Sequence, residues 1–293
     1  MKLNLLVSLP FLFGSIVHGQ PYETIRDIPY SDQPVSETQK LDLYIPKSGK
    51  PMPCLVWIHG GAWLGGSKDR LAPEIDTLLY HSYVVASIGY RLSPEAVFPA
   101  QIRDCKAAIR FLRENALKYR IDSARIAVAG SSAGGHLAAL TGTSAGMDKW
   151  ESPHDCHGKT SSRVQAVVDF YGPTDFLIMD ELPDACRDPM VHLSPDSPES
   201  LLLGCNITEC PEKVRVANPV SYISPDDPPF LIFHGTSDCT VTPKSSILLE
   251  TRLKEQGIRA ELHLIPGAGH GGKEFSTPEV RALVLDFLDG ILK

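Results

Sequence analysis

One serine in this chain sits where a serine can become a nucleophile. Gly130-Ser131-Ser132-Ala133-Gly134 follows the apolar run Arg125–Ala129 and precedes a helical stretch. A G-x-S-x-G turn between a strand and a helix is so tight that small residues must flank the serine, which leaves its hydroxyl exposed at the sheet edge. A serine hydroxyl is a poor nucleophile alone and needs a general base that is itself held by a carboxylate. In folds with such a turn the partners follow in the order Ser, acid, His, each on a loop after a later strand. Asp238 in His234-Gly235-Thr236-Ser237-Asp238 and His270 in Gly267-Ala268-Gly269-His270-Gly271-Gly272 stand at those places. Asp175, after the preceding strand, is the rival acid; Asp238 fits the order better.

Acyl transfer also creates an oxyanion, which must meet preorganised N–H donors. His59-Gly60-Gly61-Ala62-Trp63, directly after a buried apolar run, offers a backbone that a substrate can approach closely. The expected donors are the N–H groups of Gly61, Ala62 and Ala133, with Gly60 shaping the turn. Trp63 is either a core plug or one wall of the acyl pocket. Phe98, Tyr171 and Phe176 are further aromatic candidates for substrate contact, Tyr171 foremost. The remaining histidines have structural readings: His59 and His234 end strands and bond locally to backbone, His136 orders the turn at Ser132, and His263 lies mid-strand. His154-Asp155-Cys156-His157 lacks a zinc-ligand spacing, so no metal is expected there.

Alternating strands and helices must carry these loops. Leu41–Ile45 alternates apolar and polar residues like a half-buried strand. Leu55–Ile58, Tyr83–Ile88 and Arg125–Ala129 are short apolar runs of the kind found in buried parallel sheets, and Val164–Phe170, Pro229–Phe233 and Ala260–Ile265 are read as further strands. Ile102, Cys105, Ile109, Leu112, Ala116 and Tyr119 recur at helical spacing, and Lys244–Gln256 and Glu279–Leu292 are further helices, the first stopped by Gly257 and the second led by Pro278. The pattern predicts an α/β fold with a mostly parallel sheet covered on both faces. It breaks at about 143–162 and 177–228, where Ser, Pro, Asp and Cys concentrate; these are read as insertions over the C-terminal sheet edge, where ligands of such sheets bind. Residues 20–40 are read as a polar extended lead-in.

Residues 1–19 are read as a signal peptide, with a positive start at Lys2, an apolar stretch too short to span a bilayer, and cleavage expected before Gln20. Residues 20–293 then form one domain, secreted or periplasmic and without a membrane anchor. In an oxidising compartment the seven cysteines favour disulfides. A Cys205–Cys210 bridge would close a short loop, and Cys54 and Cys105 sit in apolar contexts that suit inert thiols. Asn206-Ile207-Thr208 fits an N-glycosylation acceptor. With 28 Lys+Arg against 35 Asp+Glu, the net charge of -7 gives no electrostatic reason to expect nucleic acid as a partner. The sequence carries no signal for oligomeric state.

Together, His59–Trp63, Tyr90-Arg91-Leu92-Ser93-Pro94-Glu95, Gly130–Gly135 and the loops of Asp238 and His270 resemble the α/β-hydrolase esterases. The subgroup most similar is the BD-FAE (feruloyl/acetyl-xylan esterase-like) carboxylesterases, near the hormone-sensitive-lipase group. The resemblance implies an eight-stranded hydrolase sheet, a Ser132–His270–Asp238 triad and no cofactor. Two features depart from the hormone-sensitive-lipase group: Ser131 stands where Asp is usual, and no helical cap precedes the first strand, so a lid has to come from the central insertions. The implied substrate is a small-molecule or polysaccharide-linked ester with a short acyl or feruloyl group. Cys239, beside the expected acid, is either a loop tether through a disulfide or a free thiol. The alternatives are a serine peptidase or amidase of the prolyl-oligopeptidase or kynurenine-formamidase type, and a non-catalytic hydrolase-fold binding module.

Overall fold

The computed structural model describes residues 21–31, 35–147, 150, 160–187 and 189–293. The leader read at 1–19 and the His154–His157 cluster with Cys156 lie outside them. Eight strands form one sheet: β1 (Tyr22–Pro29), β2 (Lys40–Pro46), β3 (Met52–Ile58), β4 (Val84–Ile88), β5 (Ile121–Ser131), β6 (Val167–Phe170), β7 (Phe230–Gly235) and β8 (Ala260–Ile265). Six α-helices accompany it: α1 (Ala100–Glu114), α2 (Ala133–Thr143), α3 (Pro198–Leu203), α4 (Pro211–Ala217), α5 (Lys244–Glu255) and α6 (Pro278–Leu292). The spatial order is β1-β2-β4-β3-β5-β6-β7-β8. β1–β2 and β2–β4 are antiparallel and every later pairing is parallel.

The period-2 geometry of the strands sorts the core into two layers. Cys54, Val56 and Ile58 of β3 point into a layer with Ile109 of α1, Leu137 of α2 and Leu249 of α5. Leu55 and Trp57 point the other way, toward Val284 and Leu288 of α6. Covering both faces leaves the loops at the C-terminal ends of the parallel strands as the accessible rim.

Three expectations need correction. Residues 20–40 contain an edge strand, β1, where only an extended segment was expected; its side chains are largely exposed and its sequence, YETIRDIP, has no apolar alternation to betray it. β2 is not half solvated: Asp42 is fully buried, because Arg26 and Lys68 reach its two carboxylate oxygens at 2.6 and 2.9 Å. The apolar face seen through Tyr119 outlasts its helix. α1 ends at Glu114, where the Asn115 side chain donates to the Phe111 carbonyl at 2.9 Å, and Ala116 and Tyr119 are buried from turns.

Among the described residues two disulfides are present, Cys205–Cys210 and Cys186–Cys239. The second settles the open reading of Cys239: it ties the 177–228 insertion to the loop of Asp238. Cys54 and Cys105 are free and buried, and burial pushes the Cys54 thiol up to about 12, far from a reactive thiolate.

Candidate active site

Ser132 lies at the junction of β5 and α2 with φ 54° and ψ -121°, a region that costs a residue with a Cβ about 1–3 kcal/mol. The turn can close only because its glycines lack side chains: a Cβ on Gly134 would stand 2.1 Å from the Ile58 carbonyl oxygen, and one on Gly130 2.2 Å from that of Gly134. The Ser132 N–H is fixed by the Phe170 carbonyl of β6 at 2.9 Å. Four of the positive-φ residues other than glycine, Ala62, Trp63, Ser132 and Tyr171, gather at this one edge of the sheet.

The loops after β7 and β8 bring the other expected residues to the serine. His270 Nε2 is 2.8 Å from Ser132 Oγ, and His270 Nδ1 is 2.7 Å from Asp238 Oδ2. The imidazole keeps partial exposure while the carboxylate is fully buried. Asp238 Oδ1 accepts the N–H groups of Thr240 at 2.8 Å and Val241 at 2.9 Å. Burial alone would raise this carboxyl, but hydrogen bonds from His234, His270 and Thr240 outweigh it and hold Asp238 well below the usual carboxylate range. Asp175 has no part in this constellation: its Oδ1 accepts the Leu177 N–H at 3.0 Å and starts a short 3-10 turn.

Gly61, Ala62 and Ala133 surround the serine as expected. The first loop is braced by Leu64 and Gly65 N–H bonds to the Gly61 carbonyl, both 3.0 Å. Among the described residues, none of the N–H groups of Gly61, Ala62 and Ala133 has a backbone acceptor, so all three remain available to an incoming oxyanion. The Trp63 indole is 1% exposed and packs edge-on against His136 and Phe176, yet it also lines the cavity at Ser132. His136 bonds the Ala217 carbonyl at 2.8 Å, and burial pushes it down to about 4, so it is neutral and structural. Tyr171 packs edge-on against His270, 4.8 Å between ring centres. Phe176 is buried behind Trp63, and Phe98 lies against Trp150 away from the serine.

Two spaces open from Ser132. One is a cleft of about 330 Å³ lined by Gly60, Gly61, Tyr171, Thr240 and His270. The other is a cavity of only about 40 Å³ on the Ala133 side, walled by Trp63, Met179, Met190, His192 and Glu199. The last four belong to the 177–228 insertion and escaped sequence reading, since their positions follow from the tether at Cys186 rather than from periodicity. His192 and Glu199 are a buried pair, Nδ1 to Oε1 3.0 Å; burial opposes charge on the imidazole, but Glu199 and Asp180 outweigh it and hold its pKa raised. His234 is the other residue whose contacts exceed expectation, because it reaches Asp238 as well as backbone.

An eight-stranded sheet of this order, with serine, histidine and aspartate on loops at its C-terminal edge, defines the α/β-hydrolase class. Within that class the chain belongs to the BD-FAE family, whose model matches residues 41–253. It is 34% identical to "Esterase LipC" of Mycobacterium tuberculosis over 89% of this chain and 63% of that protein, so it spans less than two thirds of that curated relative's length. Among solved structures, a truncated carbohydrate esterase from gut microbiota superposes with TM-score 0.83 at 33% identity, covering 92% of this chain and 96% of the other. The acetyl ester-xyloside bifunctional hydrolase of Caldicellulosiruptor lactoaceticus gives TM-score 0.74 at 26% identity, covering 90% and 95%.

Proposed function

We propose that this protein is a serine carboxylesterase that removes short acyl groups, acetate foremost, from carbohydrate-linked esters. The observation that carries the reading is the unbroken hydrogen-bond line Asp238–His270–Ser132 beside a cavity too small for a bulky acyl group. His270 takes the Ser132 proton as Oγ attacks the ester carbonyl, and Asp238, anionic across the whole range in which imidazole titrates, holds the imidazolium. The N–H groups of Gly61, Ala62 and Ala133 receive the oxyanion; losing one such donor typically costs ~3–4 kcal/mol in the barrier. His270 then protonates the departing alcohol, and water repeats the sequence on the acyl-enzyme.

Proton delivery assigns the two spaces. The alcohol must leave on the side that His270 lines, which is the open cleft with room for a sugar. The acyl group turns into the narrower cavity on the Ala133 side, roughly 40 Å³ against about 330 Å³ for the cleft. So narrow a space favours an acetyl group over a feruloyl ring. The names of the gut carbohydrate esterase and the acetyl ester-xyloside hydrolase support the same substrate class. The leader at 1–19 and the two disulfides support a secreted or periplasmic location.

The test is kcat/KM for p-nitrophenyl acetate, p-nitrophenyl butyrate and methyl ferulate, with Ser132→Ala as the blank. Acetate is expected to lead, with ferulate lower by several orders of magnitude. Comparable values for acetate and ferulate would overturn the short-acyl assignment.

A further inference from the structure

Asp238 has one more neighbour than the reaction requires. His234, at the end of β7, is fully buried, and its Nε2 lies 3.2 Å from Asp238 Oδ2, the same oxygen that takes the His270 Nδ1–H. Nε2 is also 2.9 Å from the Val241 carbonyl oxygen. A carbonyl and an anionic carboxylate both only accept, so Nε2 must carry the proton and share it between them. The other ring nitrogen is held at 2.7 Å by the Ser246 hydroxyl in the first turn of α5. Both ring nitrogens are therefore tied, one through α5 and one through the loop that bears the acid.

We propose that His234 is a positioning residue of the esterase reaction: it aims the Asp238 carboxylate at His270 and shares the charge of the oxygen that faces the base. The proposal rests on the triad reading. Oδ1 is fixed by the N–H groups of Thr240 and Val241, and Oδ2 by two imidazoles, so the carboxylate plane has no freedom to rotate. A buried carboxylate lacking one of four donors keeps more negative charge on the oxygen opposite His270. The imidazolium is then held more tightly and gives up its proton at higher pH. Because the reaction starts from neutral His270, loss of His234 moves the acid limb of kcat/KM upward in pH.

The groups facing His234 are few. Asp169 on β6 is fully buried and interacts electrostatically with it; burial raises that carboxyl to about 6, against the Gly172 N–H and His234, which lower it. Among the described residues, Ser246 on α5 and Asp238 are the other polar side-chain partners of His234, and His270 meets the same Asp238 oxygen. Asp169 titrates near the same pH as an imidazole, so an Asp169→Asn control must accompany the pH profile.

The experiment compares His234→Leu, which fills similar space without a donor, with His234→Gln, which restores a side-chain N–H. For p-nitrophenyl acetate, His234→Leu is expected to lower kcat by about 10- to 100-fold with KM little changed, and to raise the acid limb. His234→Gln is expected to recover most of the rate and return the limb toward its original position. If His234→Leu does not fold, Ser246→Ala takes its place; it keeps the imidazole but unties Nδ1, with a smaller loss and the same direction of shift. A variant that melts at lower temperature but keeps kcat and the acid limb would overturn the proposal, leaving His234 a packing residue. So would an Asp169→Asn profile that reproduces the whole shift. The triad reading is judged separately, since a fluorophosphonate must label wild type and spare Ser132→Ala whatever His234 does.

Discussion

The two walls around Ser132 are built in opposite ways. On one side the sheet supplies everything: Ser132 at the end of β5, Asp238 after β7, His270 after β8 and the Gly60–Trp63 loop after β3. On the other, Met179, Met190 and His192 come from irregular chain and Glu199 from the first turn of the short helix α3, all in the stretch clipped to the Asp238 loop by Cys186–Cys239. The first wall tolerates strain because hydrogen-bonded strands and close glycine contacts over-determine it. The second is held by the Cys186–Cys239 tie, the buried His192–Glu199 pair and hydrogen bonds such as that from Thr242 Oγ1 to the Glu181 carbonyl at 2.6 Å. In the proposed mechanism the sheet side carries the chemistry, and the insertion sets which acyl group can be served.

Substitutions on the two walls should therefore fail differently. On the sheet side, Asp238→Asn should lower kcat by about 10⁴-fold, the scale seen when a triad carboxylate is neutralised. Asp175→Asn should stay within about twofold of wild type, because its carboxylate caps a short turn and touches neither His270 nor Ser132. Equal losses would dissolve the distinction between the two acids. On the insertion side, joint Cys186→Ser and Cys239→Ser should leave kcat on acetate within about tenfold. The acetate-over-hexanoate preference should fall by about tenfold, since methylene-sized discrimination is worth only ~1–3 kcal/mol. Parallel melting curves should show a loss of stability of about 2–4 kcal/mol. An unchanged preference would mean that the insertion walls the cavity without depending on its tether.

The same division explains what could be read in the sequence. The six parallel strands and the order Ser132, Asp238, His270 were legible, because the inner strands, covered on both faces, are largely apolar and a nucleophile turn must be small. The edge strand β1 was not, since an exposed edge with Glu23, Arg26 and Asp27 has no apolar face to repeat. Asp42 read as solvent-facing because alternation reports polarity, while Lys68 and Arg26, which bury it, come from elsewhere in the chain. The His192–Glu199 pair was invisible for a related reason: His192 lies on irregular chain, and its meeting with Glu199 at the start of the short helix α3 follows no local period. His234 was placed correctly at its strand end, but its reach to Asp238 depends on how the following turn folds back. Local periodicity reports what a strand or helix buries, and contacts made by irregular segments leave no period.

The most direct test is to look for the acyl group on the serine. Mixing the protein with p-nitrophenyl acetate, quenching in acid and mapping the peptides by mass should find an acetyl group on Ser132, formed as fast as the first turnover releases nitrophenol. Ser132→Ala should carry none and hydrolyse no faster than background. Turnover without acetylated Ser132, or undiminished hydrolysis by Ser132→Ala, would contradict the mechanism at its centre.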